Sequence, residues 1–242
     1  MQLAPLSNGV RLFVIERDVY ARQAIVSYLS WDRRTRVVEK AASLEEFIHT
    51  VEDKQDFERL DAIILDTSLA RSLTALETMI QALREISPDA ELICLGQTAD
   101  ADAALIAAQA GASAYLLRED VGLGLAAAVQ FVLWSPRFVV TQGISTFAGM
   151  AILPERRRYE RLTQRIEQAL WLCVVEGLPA ELAAEEMGVS TSTVRSYIKE
   201  GYRILEAGDA TPYPAAMSPV ERAFLRFTAL DFEGHHLEPA AA

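Results

Sequence analysis

The alternation of short apolar runs with amphipathic segments in the first half of the chain constrains the fold most. Five runs are rich in β-forming residues, at 11–16, 35–41, 61–66, 91–96 and 112–117. Segments with helical spacing follow them, at about 19–31, 43–57, 72–86, 100–110 and 121–134. Such alternation is typical of a parallel sheet covered by helices on both faces. Residues 1–135 are therefore predicted to form an α/β domain, with functional side chains at the carboxyl ends of its strands.

Composition and charge restrict the class of protein. The 242 residues are 51% apolar and 24% charged, which suits two globular domains. Charged residues interrupt every apolar segment before the roughly 18 to 20 residues that a membrane span needs, so we expect a cytoplasmic protein without a membrane partner. Residues 1–145 have a net charge of −7 and residues 146–242 a net charge of −4. Any nucleic-acid contact must therefore come from a local basic stripe.

Cysteine and histidine usage predicts neither a metal site nor a catalytic centre. Cys94 and Cys173 lie in separate apolar runs, where free thiols usually pack as small hydrophobic groups. His49 is far in sequence from His235 and His236. We expect a protein that is not an enzyme.

Four residues follow the predicted strands of the first domain: Glu16, Asp66, Gly96 and Arg118. The segment "DAIILDTS" places Asp66 at the end of a buried run, and "AQAGASAYLLRED" follows at 108–120. With these segments, the first 135 residues resemble a response-regulator receiver domain. The resemblance implies a flavodoxin-like fold, with a five-stranded parallel sheet of order 2-1-3-4-5, and a possible phosphoacceptor at Asp66.

The resemblance also exposes departures from receiver chemistry. Receivers hold Mg²⁺ with an acidic pair after the first strand, and here Glu16 and Arg17 align with that pair; Asp18 restores it if the loop slips by one residue. Gly96 aligns with the hydroxyl residue and Arg118 with the lysine, while the aromatic residue is kept as Tyr115. A fixed cation at residue 17 opposes Mg²⁺, and arginine is a planar fork where lysine is a compact charge.

Three hypotheses for Asp66 follow. It is a phosphoacceptor, an acid paired with Arg17 or Arg118 at the strand ends, or part of a small-ligand site. We favour a degenerate receiver that works without phosphorylation and without a cofactor, with Mg²⁺ at Glu16 and Asp66 as the weaker alternative.

Residues 136–154 lack a clear period and are predicted to be a linker. A helix is then expected to open at Pro154 or Glu155. The three arginines at 156–158 suit phosphate contacts, a solvated face or a partner for the acidic first domain.

The segment 176–205 carries the strongest signal. Gly177 suits the end of one helix, a short helix is predicted over 179–187 with Leu182, Ala183 and Met187 facing inward, and Gly188 makes the turn. Ser190 or Thr191 then caps a third helix, over 191–205. This pattern predicts a helix-turn-helix within an all-α domain over 155–210.

The third helix divides into two faces at 100° per residue. The packing side consists of Val194, Ile198, Gly201, Tyr202 and Leu205. The opposite side is cationic and hydroxylic, and its candidate DNA contacts are Thr191, Ser192, Arg195, Ser196, Lys199 and Arg203. Such groups suit phosphates and base edges.

The stretch 176–198 resembles the LuxR/NarL-type output domain that follows receivers, although region 4 of sigma factors shares this helix pair. An extension over 211–242 adds one helix, capped by Ser218 and opened by Pro219, whose apolar stripe covers the domain core or forms a dimer seam. The chain is thus similar to an atypical LuxR/NarL-type response regulator.

The resemblance implies a transcription regulator that binds double-stranded DNA as a homodimer, with two recognition helices about 34 Å apart. RNA polymerase or another protein is a further possible partner. Three alternatives stay open: a phosphorylation-switched regulator, an RNA-binding antiterminator with a pseudo-receiver, and a protein-interaction adaptor.

Overall fold

A computed structural model describes residues 9–53, 59–144, 149–209, 211 and 213–231. The described chain divides into two compact units, and the boundary along the chain lies between Pro154 and Glu155. Each unit has its own core, and each is described by itself below.

The first unit is built on a parallel sheet of seven strands in the order β2-β1-β3-β4-β5-β6-β7. Their bounds are β1 Val10–Ile15, β2 Thr35–Ala41, β3 Ala62–Asp66, β4 Glu91–Gly96, β5 Ala114–Leu117, β6 Val139–Val140 and β7 Ala151–Ile152. Strand β3 is buried along its whole length, because it lies inside the sheet and helices cover both faces. The flavodoxin-like fold and the predicted order of the first five strands are confirmed.

Helices join the strands of this unit. Their bounds are α1 Val19–Trp31, α2 Leu44–Asp53, α3 Leu73–Ile86, α4 Ala101–Gln109, α5 Arg118–Val121 and α6 Leu125–Trp134. Asp18, Ser72 and Asp100 each accept a hydrogen bond from a backbone N–H of the first turn that follows, which explains where α1, α3 and α4 begin. The helix predicted over 121–134 is broken by a turn at Gly122–Gly124.

The prediction of five strands was wrong. Residues 136–154, predicted as a linker, contribute β6 and β7, which extend the sheet beyond β5 in parallel register. Val139 and Val140 are fully buried, so burial of this apolar segment outweighs the Gly, Ser and Thr content that suggested a loop. The linker's residues 145–148 lie outside the described residues.

The second unit is helical. Its helices are α7 Gln164–Leu170, which continues into a wide turn at Trp171–Val175, α8 Ala180–Met187, α9 Thr191–Ala207 and α10 Pro219–Phe227. The helix predicted at Pro154 or Glu155 is absent there, and α7 begins only after its cap Thr163. Residues 155–157 instead pair antiparallel with 229–231, through backbone bonds from Arg157 to Ala229 and from Asp231 to Glu155.

The helix α10 completes the core of the second unit. Ser218 and Glu221 form a reciprocal capping box, and Pro219 occupies the first turn, as the sequence predicts. Ala223, Phe224 and Phe227 are buried within the unit. Of the two roles predicted for the apolar stripe, covering the domain core is the one that the contacts support, while residues 232–242 lie outside the described part of the chain.

Within the described residues, the helices are too short or too polar to traverse a lipid bilayer.

Candidate functional sites

The first candidate site is the helix-turn-helix formed by α8 and α9. Gly177 and Gly188 have φ angles of +70° and +64°, a region in which residues with a Cβ are strained, so glycine fits both helix ends. The Ser190 hydroxyl accepts a hydrogen bond from the Thr193 backbone N–H and caps α9. The predicted turn and caps are confirmed, with Ser190 as the cap.

Packing of α8 and α9 holds the unit together. Ala183, Met187 and Val194 lie in a shared core, and Val189 packs against it. Leu182, predicted to face inward, is 50% exposed. The prediction failed because Ala183 and Ala184 already bring α8 close to its neighbours, which leaves residue 182 on the outer side of the helix.

Gly201 lies where α9 crosses α7. A Cβ at this position would come within 2.9 Å of three side-chain carbons of Leu170, which is fully buried. Glycine is a poor helix former, but here it permits a close helix crossing. Its presence within α9 therefore reflects packing.

The opposite side of α9 faces away from this core. Ser192, Arg195, Ser196, Lys199 and Arg203 are exposed, and Thr191 is half-buried. The Ser196 hydroxyl donates to the backbone carbonyl of Ser192, one turn earlier. Of the six predicted DNA contacts, five thus lie on the outer surface of α9, and their role stays a prediction.

Two of the three cations on this face are paired with carboxylates. Arg195 NH2 lies 2.7 Å from Glu181 Oε1 on α8, and Arg203 NH2 lies 2.5 Å from Glu200 Oε1. The hydrogen bond from Arg203 lowers the pKa of Glu200 below its ordinary value. Lys199 has no ion-pair partner among the described residues. The sequence periodicity did not indicate the pair with Glu181, because the two residues belong to different helices.

The second candidate site lies at the carboxyl ends of β1, β3 and β5. The guanidinium of Arg118 binds two carboxylates at once: Glu16, through its NH2 group, and Asp66, at 2.8 Å from Oδ1. Both carboxylates are almost fully buried, whereas the Arg118 side chain is 23% exposed. The backbone N–H of Ser68 also donates to Asp66, at 3.0 Å.

The pKa of Glu16 is shifted by its surroundings at this site. Burial raises its pKa, and the nearby Asp66 raises it further, while hydrogen bonds from Asp18 and Arg118 act in the opposite direction. The pKa of Glu16 is raised as a result. Arg118 thus holds together two acids that would otherwise repel each other in a buried place.

Of the two partners predicted for Asp66, Arg118 is the one observed. Arg17 is exposed, and its carbonyl accepts a hydrogen bond from Arg22. The Asp18 side chain caps α1 by accepting from Ala21, and its backbone N–H donates to Glu16. Asp18 is therefore engaged at the helix start, and the loop has not slipped to form an acidic pair.

Gly96 and Tyr115 fit together at the end of β4. A Cβ on Gly96 would lie 2.7 Å from the Tyr115 hydroxyl and 2.9 Å from two ring carbons. The Tyr115 side chain is therefore packed inward over the glycine, and burial raises its pKa while a hydrogen bond with Thr67 opposes the shift. The residue that aligns with the receiver hydroxyl thus makes room for the ring.

A cleft of about 420 Å³ adjoins this site, lined by residues that include Thr67, Arg71, Thr98 and Tyr115. It is the place where the small-ligand hypothesis for Asp66 would apply, and that hypothesis stays a prediction. Within the described ranges, no group of three or more His, Cys, Asp or Glu side chains is arranged to hold a metal ion; His235 and His236 fall outside those ranges.

Comparison with known proteins finds a family that matches the second unit. Residues 156–205 match the family Sigma-70, region 4, which covers the helix-turn-helix and well under half of the chain. The chain thus joins a flavodoxin-like fold to a unit that contains a helix-turn-helix. No curated protein matches the sequence.

Solved structures match the chain at low identity. A LuxR-family two-component response regulator from Aurantimonas sp. SI85-9A1 is 19% identical, with 52% of this chain and 85% of that chain covered and a TM-score of 0.43. RcsB in complex with DNA is 15% identical, with 90% and 98% covered and a TM-score of 0.45. RcsB from Salmonella enterica serovar Typhimurium, bound to a promoter, is 15% identical, with 92% and 100% covered and a TM-score of 0.40.

Proposed function

We propose that this protein is a DNA-binding transcription regulator without catalytic activity, in which the receiver-like unit works without phosphorylation. The DNA-binding part rests on α9, the second helix of the helix-turn-helix. Its outer face presents three cations spaced four residues apart, namely Arg195, Lys199 and Arg203. A helix of this kind fits the major groove, where arginine pairs with guanine and hydroxyls contact phosphates.

The ion pairs on this face explain how a chain with a net charge of −11 can bind DNA selectively. Glu181 and Glu200 compete with phosphates for Arg195 and Arg203, so they reduce sequence-independent attraction. Both pairs are exposed, and exposed ion pairs contribute only about 0 to 1 kcal/mol. Duplex DNA that offers well-placed acceptors can therefore displace the glutamates.

Selection of bound fragments from genomic DNA tests this proposal. The wild-type chain is expected to enrich specific fragments with paired half-sites, and the double substitution of Arg195→Ala and Lys199→Ala to lose that enrichment. Arg17→Ala is the matched control, because Arg17 is an exposed arginine in the other unit. Preference for RNA hairpins over duplex DNA would favour an antiterminator, and the absence of salt-sensitive binding would favour a protein-interaction adaptor.

The phosphorylation-independent part rests on Arg118. Its guanidinium binds both Glu16 and Asp66, and these are the two acids that a divalent cation would need. With Arg17 exposed and Asp18 capping a helix, the residues at this place do not fit Mg²⁺. Gly96 supplies no hydroxyl to a phosphoryl group, and the Tyr115 ring fills the space beside it.

Incubation with acetyl phosphate and Mg²⁺, followed by mass spectrometry of the intact chain, tests this part separately. We expect no phosphate adduct on the wild-type chain. An adduct that Asp66→Asn abolishes would show a phosphorylated receiver, and it would leave the DNA-binding proposal standing.

A further inference from the structure

A strongly basic stretch of the second unit precedes α7 and enters its first turn. Residues 156–165 contain five arginines and one glutamate, so their local net charge is +4 in a chain with a net charge of −11. Cations that neutralise phosphates supply the sequence-independent attraction of a protein to DNA. The contacts of each arginine therefore decide which of the five are suited to this role.

The three adjacent arginines of the stretch pair with carboxylates of the same unit. These ion pairs join Arg156 to Glu167 at 2.5 Å, Arg157 to Asp209 at 3.3 Å and Arg158 to Glu155 at 2.9 Å. The guanidinium of Arg156 also lies over the ring of Phe227, so it packs against α10. The charges of these three arginines are thus balanced by acids within the unit.

Arg161 and Arg165 lack such partners. Both residues are exposed, and neither forms an ion pair with another of the described residues. Nη1 of Arg165 donates hydrogen bonds to neutral acceptors, the side chain of Gln168 and the backbone carbonyl of Met187, each at 3.3 Å. The positive charges of both arginines are therefore available to an anion.

Both arginines lie beside α9. Met187 is the last residue of α8, so its hydrogen bond with Arg165 places this arginine at the turn that leads into α9. Arg161 lies near the middle of α9: the hydrogen bond from Arg203 lowers the pKa of Glu200, and the charge of Arg161 lowers it further. The two arginines therefore flank the helix that carries the predicted DNA contacts.

Lys199 is a third exposed cation without an acidic partner. Within the described part of the second unit, the exposed cations that lack a carboxylate partner are Arg161, Arg165 and Lys199. Arg195 and Arg203 give up a glutamate when they reach DNA, whereas the unpaired three exchange only small counterions for a phosphate. The unpaired cations are therefore the ones suited to sequence-independent contacts.

We infer that Arg161 and Arg165, together with Lys199, bind the phosphate backbone of duplex DNA beside the groove that α9 enters, while Arg195 and Arg203 contact bases. The inference rests on the proposed DNA-binding function and adds two phosphate contacts outside α8 and α9. Phosphates border the groove on both sides, so cations that flank a helix in the groove face them. Such contacts fix the position of the protein on the duplex without reading its sequence.

The salt dependence of binding to a duplex of mixed sequence tests the two arginines. Three phosphate contacts give a slope of log K against log salt of about −2.7 per protomer, and Arg161→Gln combined with Arg165→Gln is expected to reduce it to about −0.9. Between about 50 and 200 mM salt, the affinity per protomer should fall about 40-fold for the full wild-type chain and about 3- to 4-fold for the double variant. Fluorescence anisotropy of the labelled duplex measures both.

Two control variants should keep the wild-type slope. Arg158→Gln removes the same charge from a neighbouring arginine that is 87% exposed and paired with Glu155. Arg161→Lys combined with Arg165→Lys keeps both charges, and lysine also binds phosphate.

Selection of bound fragments from genomic DNA separates phosphate contacts from base contacts. The double glutamine variant is expected to enrich the same base pattern as the wild type, because phosphate contacts carry no sequence information. Arg195→Ala is expected to relax the pattern at the base pairs that Arg195 contacts.

The outcomes separate this inference from the proposed function. The inference would be overturned by a slope that the double glutamine variant leaves unchanged, by an equal reduction in Arg158→Gln, or by an altered base pattern in the double glutamine variant. Each of these results leaves DNA binding by the wild-type chain standing. A wild-type chain that binds no duplex DNA would contradict the proposed function itself, and the inference with it.

Discussion

At the scale of single residues, Arg118 decides how the two buried acids of the first unit are paired. Its guanidinium takes the position between Glu16 and Asp66 and compensates two buried negative charges. The sequence allowed two partners for Asp66, Arg17 and Arg118, and spacing along the chain does not distinguish them. Arg118 lies 102 residues from Glu16, so only the folding of β1 and β5 into one sheet brings the two together.

We predict that Arg118→Met destabilises the first unit at neutral pH. Breaking a buried ion pair costs about 3 to 5 kcal/mol, and we expect a smaller loss here, about 2 to 3 kcal/mol, because Arg118 is 23% exposed. Protonation of Glu16, whose pKa is raised by burial, relieves the unpaired charges, so the loss should shrink as the pH falls. Urea unfolding at neutral and mildly acidic pH measures this dependence.

Arg17→Met provides the control for that experiment. The side chain of Arg17 is exposed, so its loss should change the free energy of unfolding by less than about 0.5 kcal/mol. Equal effects of the two substitutions would contradict the role assigned to Arg118.

Among the elements, α9 combines a packing face with an exposed cationic face. The periodicity of the sequence predicted both faces, because alternation at 3.6 residues per turn is a local property. It did not predict why Gly201 is present, since the cause lies in Leu170 on another helix. A glycine that weakens an isolated helix can be required where two helices cross closely.

Gly201→Ala tests this reading of the crossing. Alanine improves helix propensity by about 1 kcal/mol, but overpacking against Leu170 costs about 1 to 3 kcal/mol, so we expect net destabilisation of the second unit. Hydrogen exchange of α9 amides measures the change. Adding Leu170→Ala should produce a double-mutant coupling of at least about 0.5 kcal/mol, whereas Ser196→Ala on the exposed face should be neutral or slightly stabilising.

The elements that flank the helix-turn-helix are joined through a buried acid, Asp209. It accepts hydrogen bonds from Arg157, Thr211 and Tyr213, and it forms an ion pair with Arg226 on α10. Burial alone would raise the pKa of Asp209. The hydrogen bonds from Thr211 and the charge of Arg157 outweigh this effect and hold the pKa below its ordinary value. The extension is therefore part of the second unit.

We predict that Asp209→Ala destabilises the second unit by about 3 to 5 kcal/mol near neutral pH, because it leaves Arg157 and Arg226 without their shared partner. Since the pKa of Asp209 is lower in the folded state, the unfolded chain binds more protons as the pH falls, and this stabilisation is lost in acid. The difference between variant and wild type in amide exchange of α9 should thus narrow at acidic pH.

Glu206→Ala is the matched control, since Glu206 also contacts Arg226, at 3.8 Å, but is 55% exposed. An exposed pair contributes less than about 1 kcal/mol, so this variant should stay close to the wild type. If Glu206→Ala destabilised the second unit as much as Asp209→Ala, the loss of stability would reflect any loss of a partner of Arg226 and not the burial of Asp209.

At the scale of the whole molecule, the net charge of −11 limits how the chain can meet DNA. On the proposed function, attraction comes from local groups of exposed cations such as the outer face of α9, while the net negative charge of the chain repels phosphates. The affinity for DNA should therefore fall with salt concentration with a small slope, because only a few cations contact phosphates.

The salt dependence of DNA affinity measures that number. Three phosphate contacts per chain imply a slope of log K against log salt of about −2.7 per protomer, and a dimer on paired half-sites should show about twice that value. Lys199→Ala should reduce the slope by about one per protomer, because Lys199 has no carboxylate partner within the described residues. A slope that is unchanged in this variant would exclude Lys199 as a phosphate contact.

The sequence by itself determined the features that depend on neighbouring residues. The order of strands and helices, the turn at Gly188, the cap at Ser190 and the two faces of α9 all follow from local periodicity and backbone preference. The tertiary structure alone decided which residue pairs with Asp66, that β6 and β7 extend the sheet beyond β5, and that α10 packs on α9. These depend on which distant residues meet in the folded chain, and burial there outweighs the local preferences that a sequence displays.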